Sequence, residues 1–495
     1  MSGQTADFNK VYLSGILKED LALFKKIFRK DAVMRIKRIE ITAQKQLSLA
    51  IIYFDGMVDS DQLNEAVIKP LVSAKIPWGQ PSVAEYIETR VLFAKDVKKH
   101  LCVAEILRGI LYGEAVILID GSKTALTTDV KGWRTRGISE PDDERVLQGP
   151  REGFDEAAML NLSMIRRKLQ TPDLCIEMQR FGRRTDTMVF ICYLGSLVDK
   201  SVLSQLKKRL SKIDIDGVLD SNYLSEQIRD KKYSFFKTLG TTERPDVVAA
   251  RLLEGRIALV VDGTPVVVTL PYLFSENFQS DEDYYLNFMV ASAGRLLRFI
   301  CFFIAISVPA VFVALTTYHK ALLPTSLAIT VAELRAGVPF SPFGECIILI
   351  FIFEILKETG IRMPQSLGHA LSIVGGLVVG QAAVESGIIS TPMLIVIALG
   401  GISGLMVPRL KAAVFYLRII FTLASALFGL LGFTVCLCVT VMNIISIHSF
   451  GVDYTVSLRN SSFQSLKDTF WRVPWKFMRR RPDFNKNTVR QGEKQ

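Results

Sequence analysis

Phe299-Ile-Cys-Phe-Phe-Ile-Ala-Ile-Ser-Val-Pro-Ala-Val-Phe-Val-Ala-Leu-Thr-Thr-Tyr318 runs for 20 residues without a charged side chain. At a rise of about 1.5 Å per residue a helix of that length crosses a hydrocarbon layer of roughly 30 Å. This stretch divides the chain. Residues 1–290 have the mixed composition of a water-soluble protein, whereas further apolar runs follow it. The averages, 49% hydrophobic and 22% charged, look nearly globular only because they blend two unlike halves. Pro309 inside the run predicts a kink, with the carbonyl it frees satisfied by a neighbouring group.

Downstream, Ala321 to Phe343 is apolar but broken by Pro324, Glu333, Arg335, Gly337, Pro339 and Pro342, which reads as a re-entrant or interfacial segment. Cys346 to Phe353 continues as a hydrophobic helix between Glu345 and Glu354. Met363 to Val384 is free of Asp, Glu, Lys and Arg and dense in small residues, among them Gly375, Gly376 and Gly380. Small residues allow close helix approach. Alternatively they line a pathway, with Gln381 and Glu385 supplying polar groups. Glu333, Glu345 and Glu354 are further acidic candidates in or beside membrane segments, with packing or interfacial ion pairing as the bland alternative for each.

Ser386 to Pro408 reads as another span. Ile419 to Ile447 runs 29 residues without a charge, either as one tilted span or as a hairpin broken near Gly429 and Gly432. A hairpin returns the tail to the cytoplasm, and Arg409 and Lys411 support that under the positive-inside rule. The tail interleaves aromatics and bases, with Trp471, Trp475, Arg479, Arg480 and Arg481 as membrane-interface anchors. Residues 467–495 hold nine Lys or Arg against three acids, a large part of the net +11. Next to an apolar segment that charge favours a lipid surface over nucleic acid.

In the N-terminal half, Leu47 to Phe54 reads as a strand closed by Asp55-Gly56, followed by a helical pattern through Leu63, Val67 and Leu71. A helix near Asp96 to Arg108 precedes the strand Ala115 to Ile119, closed by Asp120-Gly121. The same grammar returns in Met188 to Leu194 and in Ile257 to Val261 with Asp262-Gly263. Tyr53, Val58 and Asp59 match Tyr193, Val198 and Asp199 at an offset of 140, and Gly113, Asp120 and Gly121 match Gly255, Asp262 and Gly263 at 142. Near-equal offsets argue for internal duplication.

The layout expected is a helical lead-in (1–40), a first α/β subdomain (41–130), an arginine-rich connector (131–180), a second α/β subdomain (181–290), a transmembrane domain of four to six spans (291–450) and a basic aromatic tail (451–495). The fold class is an α+β or α/β half of two related subdomains, followed by an all-α multi-span membrane domain.

Seven scattered cysteines indicate a reducing compartment. Cys436 and Cys438 lack zinc-knuckle spacing and the four histidines lie far apart, so neither metal nor cofactor is expected. Gly149-Pro-Arg-Glu-Gly153 lacks the Gly-Lys-Ser/Thr ending of a phosphate loop. No nucleophile, base and acid assemble into a catalytic set, and Asp142-Asp143 and Asp281 to Asp283 read as solvated, so no enzyme is expected. The connector arginines, Arg134, Arg136, Arg145, Arg151, Arg166, Arg167, Arg180, Arg183 and Arg184, read as salt-bridge donors at a subunit interface.

The chain resembles the A-subunit family of bacterial spore germinant receptors, the GerA family, which also includes SpoVAF. The resemblance covers most of the chain. It rests on Gly149-Pro-Arg-Glu-Gly-Phe154, Ile213-Asp-Ile-Asp-Gly217, Thr242-Glu-Arg-Pro-Asp246, Leu253-Glu-Gly-Arg256 and Val261-Asp-Gly-Thr-Pro265. Ser280-Asp-Glu-Asp-Tyr-Tyr285, Gly337-Val-Pro-Phe340, Gly380-Gln-Ala-Ala-Val384, Ser449-Phe-Gly451 and Leu466-Lys-Asp-Thr-Phe470 extend it. It implies a multi-pass protein of the spore inner membrane, with the N-terminal half and tail on the cytoplasmic side. It further implies a homo-oligomer working with a permease-like B subunit and a lipoprotein C subunit, and releasing monovalent cations when triggered. The alternatives are a non-conducting scaffold that clusters receptor subunits and a SpoVAF-like accessory protein.

Overall fold

A computed structural model describes residues 8–41, 47–74, 76, 82–94, 96–132, 141, 144, 146, 148–362, 380–456, 467–478 and 481. The described residues divide into two compact units, one within 1–230 and 239–271, the other within 231–238 and 272–481.

The first unit is built on two five-stranded sheets. Strands β1 (Met34–Ile41), β2 (Leu47–Phe54), β3 (Val97–His100), β4 (Ala115–Ile119) and β5 (Ala125–Thr128) lie in the order β1-β2-β4-β5-β3. Strands β6 (Leu174–Phe181), β7 (Thr187–Leu194), β8 (Gly240–Thr242), β9 (Ile257–Val261) and β10 (Val267–Leu270) repeat it as β6-β7-β9-β10-β8. Every ladder in both sheets is antiparallel, so the architecture is α+β.

The correspondence reaches single residues. Met34 opposes Phe54 and Leu174 opposes Leu194, a shift of 140 that holds along both hairpins. Helices α1 (Leu17–Ile27), α2 (Val103–Leu111), α3 (Ala158–Lys168) and α4 (Pro245–Leu253) pair off as α1 with α3 and α2 with α4. Asp120 Oδ1 accepts from the Leu17 amide at the start of α1, and Asp262 Oδ1 accepts from the Ala158 amide at the start of α3, each across 3.0 Å. A carboxylate there satisfies an orphan amide and meets the positive end of the helix dipole. Gly121 and Gly263 follow with φ of +80° and +90°, and a Cβ at either would meet nothing within 4 Å. Backbone conformation, not space, calls for glycine. This repetition is what an internal duplication leaves.

Both copies share one core, in which Leu21, Phe24 and Phe54 lie in the same apolar cluster as Ile165, Ile176 and Phe190. At the seam the Ala32 amide donates to Ile176 O and the Ile176 amide to Lys30 O, each at 2.9 Å. Arg166 on α3 pairs with Asp31, both about 1% exposed, and its guanidinium lies 4.0 Å from the Phe54 ring centroid.

Three expectations are corrected here. The lead-in 1–40 is not simply helical, because its last residues form β1, the edge strand of the first sheet. The connector 131–180 contains α3 and the whole of β6 but its last residue, so the second copy begins well before 181. Five of the connector arginines pair within the chain: Arg166 with Asp31, Arg167 with Glu152, Arg180 with Asp186, Arg183 with Asp214 and Arg184 with Asp216, while Arg151 is exposed. The fold brings these carboxylates to them from 6 residues away in sequence for Asp186 to 135 for Asp31. Arg134, Arg136 and Arg145 lie outside the described residues.

The second unit is helical. Its principal elements are α5 (Phe288–Thr317), α6 (Thr325–Glu333), α7 (Pro342–Arg362), α8 (Thr391–Leu405) and α9 (Lys411–Ile445). Among the described residues two segments, Phe288–Thr317 and Pro408–Ile445, are long and apolar enough to cross a membrane. The second is not one straight rod. Gly429 has φ 62° and ψ −143°, and the Phe421 and Phe433 rings are 5.5 Å apart, whereas twelve residues of straight helix would separate them by about 18 Å. A Cβ on Gly432 would sit 2.1 Å from Ala424 O. The chain therefore doubles back at Gly429, the hairpin form of the 419–447 run. Residues 321–343, expected as re-entrant or interfacial, form a 3-10 turn Lys320–Leu322 and the short, largely exposed α6.

Candidate functional site

The helical unit buries several charged groups and exposes many large apolar ones. Ile395 and Ile402 on α8 are each 62% exposed, and Leu431, Val435, Val439 and Met442 form an exposed stripe on the returning arm of α9. Inside, Phe302, Ile306, Ala310, Val414, Leu417 and Phe421 pack α5 against the outgoing arm of α9.

Within that apolar packing sits Arg418, only 4% exposed. Its Nε donates to Ala305 O and its Nη2 to Gly400 O, each at 2.9 Å. Pro309 has no amide hydrogen, so the Ala305 carbonyl four residues earlier has no helical donor, and Arg418 supplies one. Gly400 lets α8 approach at the same level, where a Cβ would meet Pro309 Cγ at 3.3 Å.

A second buried centre forms around Glu345 near the start of α7. Arg335 Nη2 donates to its Oε1 at 2.9 Å, and Ser390, just ahead of α8, donates from Oγ at 2.6 Å and from its amide at 3.2 Å to Oε2. Glu345 thus ties three chain segments together and is fully buried.

The other predicted pathway residues do not join it. Glu333 is exposed at the end of α6. Glu354 pairs with Lys357 one turn along α7. Gln381 Nε2 donates to Glu385 Oε1 at 2.7 Å on an exposed helical turn. A Cβ on Gly380 would make only ordinary contact with Leu394 at 3.7 Å, so this glycine is not demanded by packing among the described residues. Gly375 and Gly376 lie outside the described residues.

A third cluster forms a collar below the first apolar run. Asp283 accepts from Arg295 Nε at 2.8 Å and from Arg298 Nη1 and Nη2 at 3.0 Å, and Arg295 Nη1 reaches Asp468 Oδ1 at 2.8 Å. Arg472 Nη1 and Nη2 donate to the Leu286 and Tyr284 carbonyls at 3.2 Å. Arg409 pairs with Asp281 at 2.9 Å. The acids 281–283 expected to be solvated include one, Asp283, that is fully buried. Of the tail anchors, Trp471 and Trp475 are 57% and 50% exposed, Arg481 is half-buried, and Arg479 and Arg480 lie outside the described residues.

Sequence reading missed Arg418, Arg295 and Asp283. Arg418 stands at the very edge of the 29-residue uncharged run, where a flanking cation is the ordinary interpretation. The available signal was Pro309, whose freed carbonyl requires a donor from elsewhere.

The family model described as Bacillus/Clostridium GerA spore germination protein matches residues 22–484. The chain is 39% identical over 489 residues to spore germination protein KA of Bacillus subtilis (strain 168), covering 98% of this chain and 90% of that protein. It is 37% identical over 434 residues to the uncharacterized membrane protein YfkQ of the same strain, covering 87% and 84%. Among solved structures, the N-terminal domain of the A subunit of the Bacillus megaterium spore germinant receptor GerK3 is 31% identical, with a TM-score of 0.42 over 53% of this chain and 98% of that one.

Proposed function

Because the chain belongs to the GerA family of Bacillus/Clostridium spore germination proteins, we propose that it is the membrane A subunit of a nutrient germinant receptor. In this reading it resides in the spore inner membrane as a multi-pass homo-oligomer, partnered by a permease-like B subunit and a lipoprotein C subunit. Nutrient binding shifts an open-closed equilibrium, and monovalent cations leave through the oligomer. The sheet-bearing half and the tail lie on the cytoplasmic side. No chemical step is assigned to the chain.

The observation that carries the membrane assignment is the inverted polarity of the helical unit, with apolar stripes on α8 and α9 outside and Arg418 and Glu345 inside. Such a surface is stable against lipid and costly against water. Conduction is supported by Gln381 and Glu385, which are polar and exposed on a unit that also exposes apolar stripes on α8 and α9. A carboxylate facing lipid is expensive, so an aqueous pathway between copies is the favourable surrounding for it.

The receptor role is tested in spores. Removal of this chain abolishes the germination response to at least one nutrient, and restoring it returns that response. An unchanged response to every nutrient tested contradicts a receptor role.

A further inference from the structure

Among the described residues, the arginines of the collar outnumber the carboxylates they pair with. Three arginines, Arg295, Arg298 and Arg472, meet two carboxylates, Asp283 and Asp468, and both Arg295 and Asp283 are fully buried. Arg472 is the unmatched one. It is 5% exposed, and its two Nη atoms donate only to backbone carbonyls. Two buried guanidinium nitrogens in this cluster, Arg295 Nη2 and Arg472 Nε, have no hydrogen-bond partner among the described residues. Burial, with repulsion from Arg295 next, disfavours the charged form of Arg472. A guanidinium stays charged in proteins, so the relief available is an anion rather than loss of a proton.

The surroundings indicate which anion. Trp475 covers the guanidinium at 5.4 Å, packs 6.0 Å from Tyr284, and is half-exposed together with Trp471 and Phe477. Exposed tryptophans beside the first residues of an apolar helix mark the headgroup level of a bilayer. Arg295 and Arg298 immediately precede the uncharged run that begins at Phe299.

We propose that Arg472, with Arg295 behind it and Trp475 as a movable cover, forms a binding site for a single phosphate group, supplied by an anionic phospholipid at the membrane surface. The assignment rests on the membrane reading above. Trp475 swings aside, the phosphate oxygens accept from Arg472 Nε and Arg295 Nη2, and the surplus charge is neutralised. Bound lipid then fastens the 467–478 segment to the base of α5.

The test uses the purified full chain reconstituted in vesicles of phosphatidylcholine with and without phosphatidylglycerol. The lipid retained per chain after extraction is measured. Wild type retains phosphatidylglycerol in preference to phosphatidylcholine. Arg472→Gln, which cancels the surplus, lowers that retention about tenfold, whereas Asp468→Asn, which enlarges the surplus, raises it. The opposite signs separate a charge site from a folding defect. In lipid-free detergent, stabilisation by inorganic phosphate that Arg472→Gln abolishes supports the same site with a free anion as its source. Equal retention of the two lipids with no effect of phosphate overturns the site. A chain that fails to enter vesicles at all overturns the membrane reading instead.

Discussion

Arg418 Nε donates across 2.9 Å to the carbonyl of Ala305, the group that Pro309 deprives of its helical partner. One side chain therefore compensates a proline defect in α5 and, through Gly400 O, holds α8 at the same level. Arg418→Met leaves both carbonyls without this donor and is expected to cost about 2 kcal/mol. In a Pro309→Ala background the cost falls, because residue 309 then offers its own amide to Ala305. Unfolding of the four chains of this double-mutant cycle in detergent measures the coupling.

Gly429 distinguishes a hairpin from a continuous helix by sign. In a straight helix Gly429→Ala stabilises by about 1 kcal/mol. At φ 62°, with a Cβ placed 2.6 Å from the His319 ring, it destabilises instead. Thermal midpoints of wild type and Gly429→Ala decide between them, and a higher midpoint for the variant contradicts the reversal.

The repeated caps make a paired prediction. Asp120→Ala and Asp262→Ala each remove a carboxylate from the first amide of a helix at the same 3.0 Å distance. Each is expected to cost about 1 kcal/mol, the usual worth of an N-terminal cap. Denaturant unfolding of the two variants should give similar losses, and a loss confined to one shows that the copies do not use the cap alike.

Glu177 on β6 gives the first unit an acid-sensitive contact. Burial raises its pKa, but hydrogen bonds from Lys207 and Tyr193 and the charges of Lys207 and Lys30 outweigh that and leave it below the ordinary value of 4.5. A carboxyl with a depressed folded pKa contributes stability above its unfolded value and loses it as pH falls through the folded one. Glu177→Gln is therefore less stable than wild type near neutral pH, and the gap closes as the pH drops below about 4. A gap independent of pH contradicts the ion-pair account.

Cys175 is expected to be a slow nucleophile. Burial first, and the nearby Asp173 second, push its thiol up to about 11. At pH 8 only about a thousandth of it is thiolate, so native alkylation is far slower than in denaturant. Peptide mass spectrometry after timed alkylation measures the difference.

How much was legible follows from where each residue's partner lies. The strands 47–54, 115–119 and 257–261 are visible because both faces are buried and the apolar runs are bounded by Asp-Gly turns. β1, by contrast, reads Met-Arg-Ile-Lys-Arg-Ile-Glu-Ile, with the charges an exposed edge strand carries, and so resembles a helix surface. α3 buries Asn161, Ser163 and Arg166 alongside its apolar side chains, which blurs its period. The hairpin at Gly429 was one of two readings that length alone allowed. The collar escaped because Asp283 and Asp468 meet at Arg295 from positions 185 residues apart in the sequence. Glu345 was named from its place beside an apolar helix, but its partners Arg335 and Ser390 required the fold.

Cation flux through liposomes containing the purified chain tests the central claim most directly, with wild type compared against Gly380→Trp and Glu385→Gln and the oligomer measured in parallel. The account predicts flux through wild type and its loss in both variants while the oligomer stays intact. Flux that persists unchanged in both, or an assembled complete receptor with B and C subunits that passes no cations when nutrient is added, contradicts it.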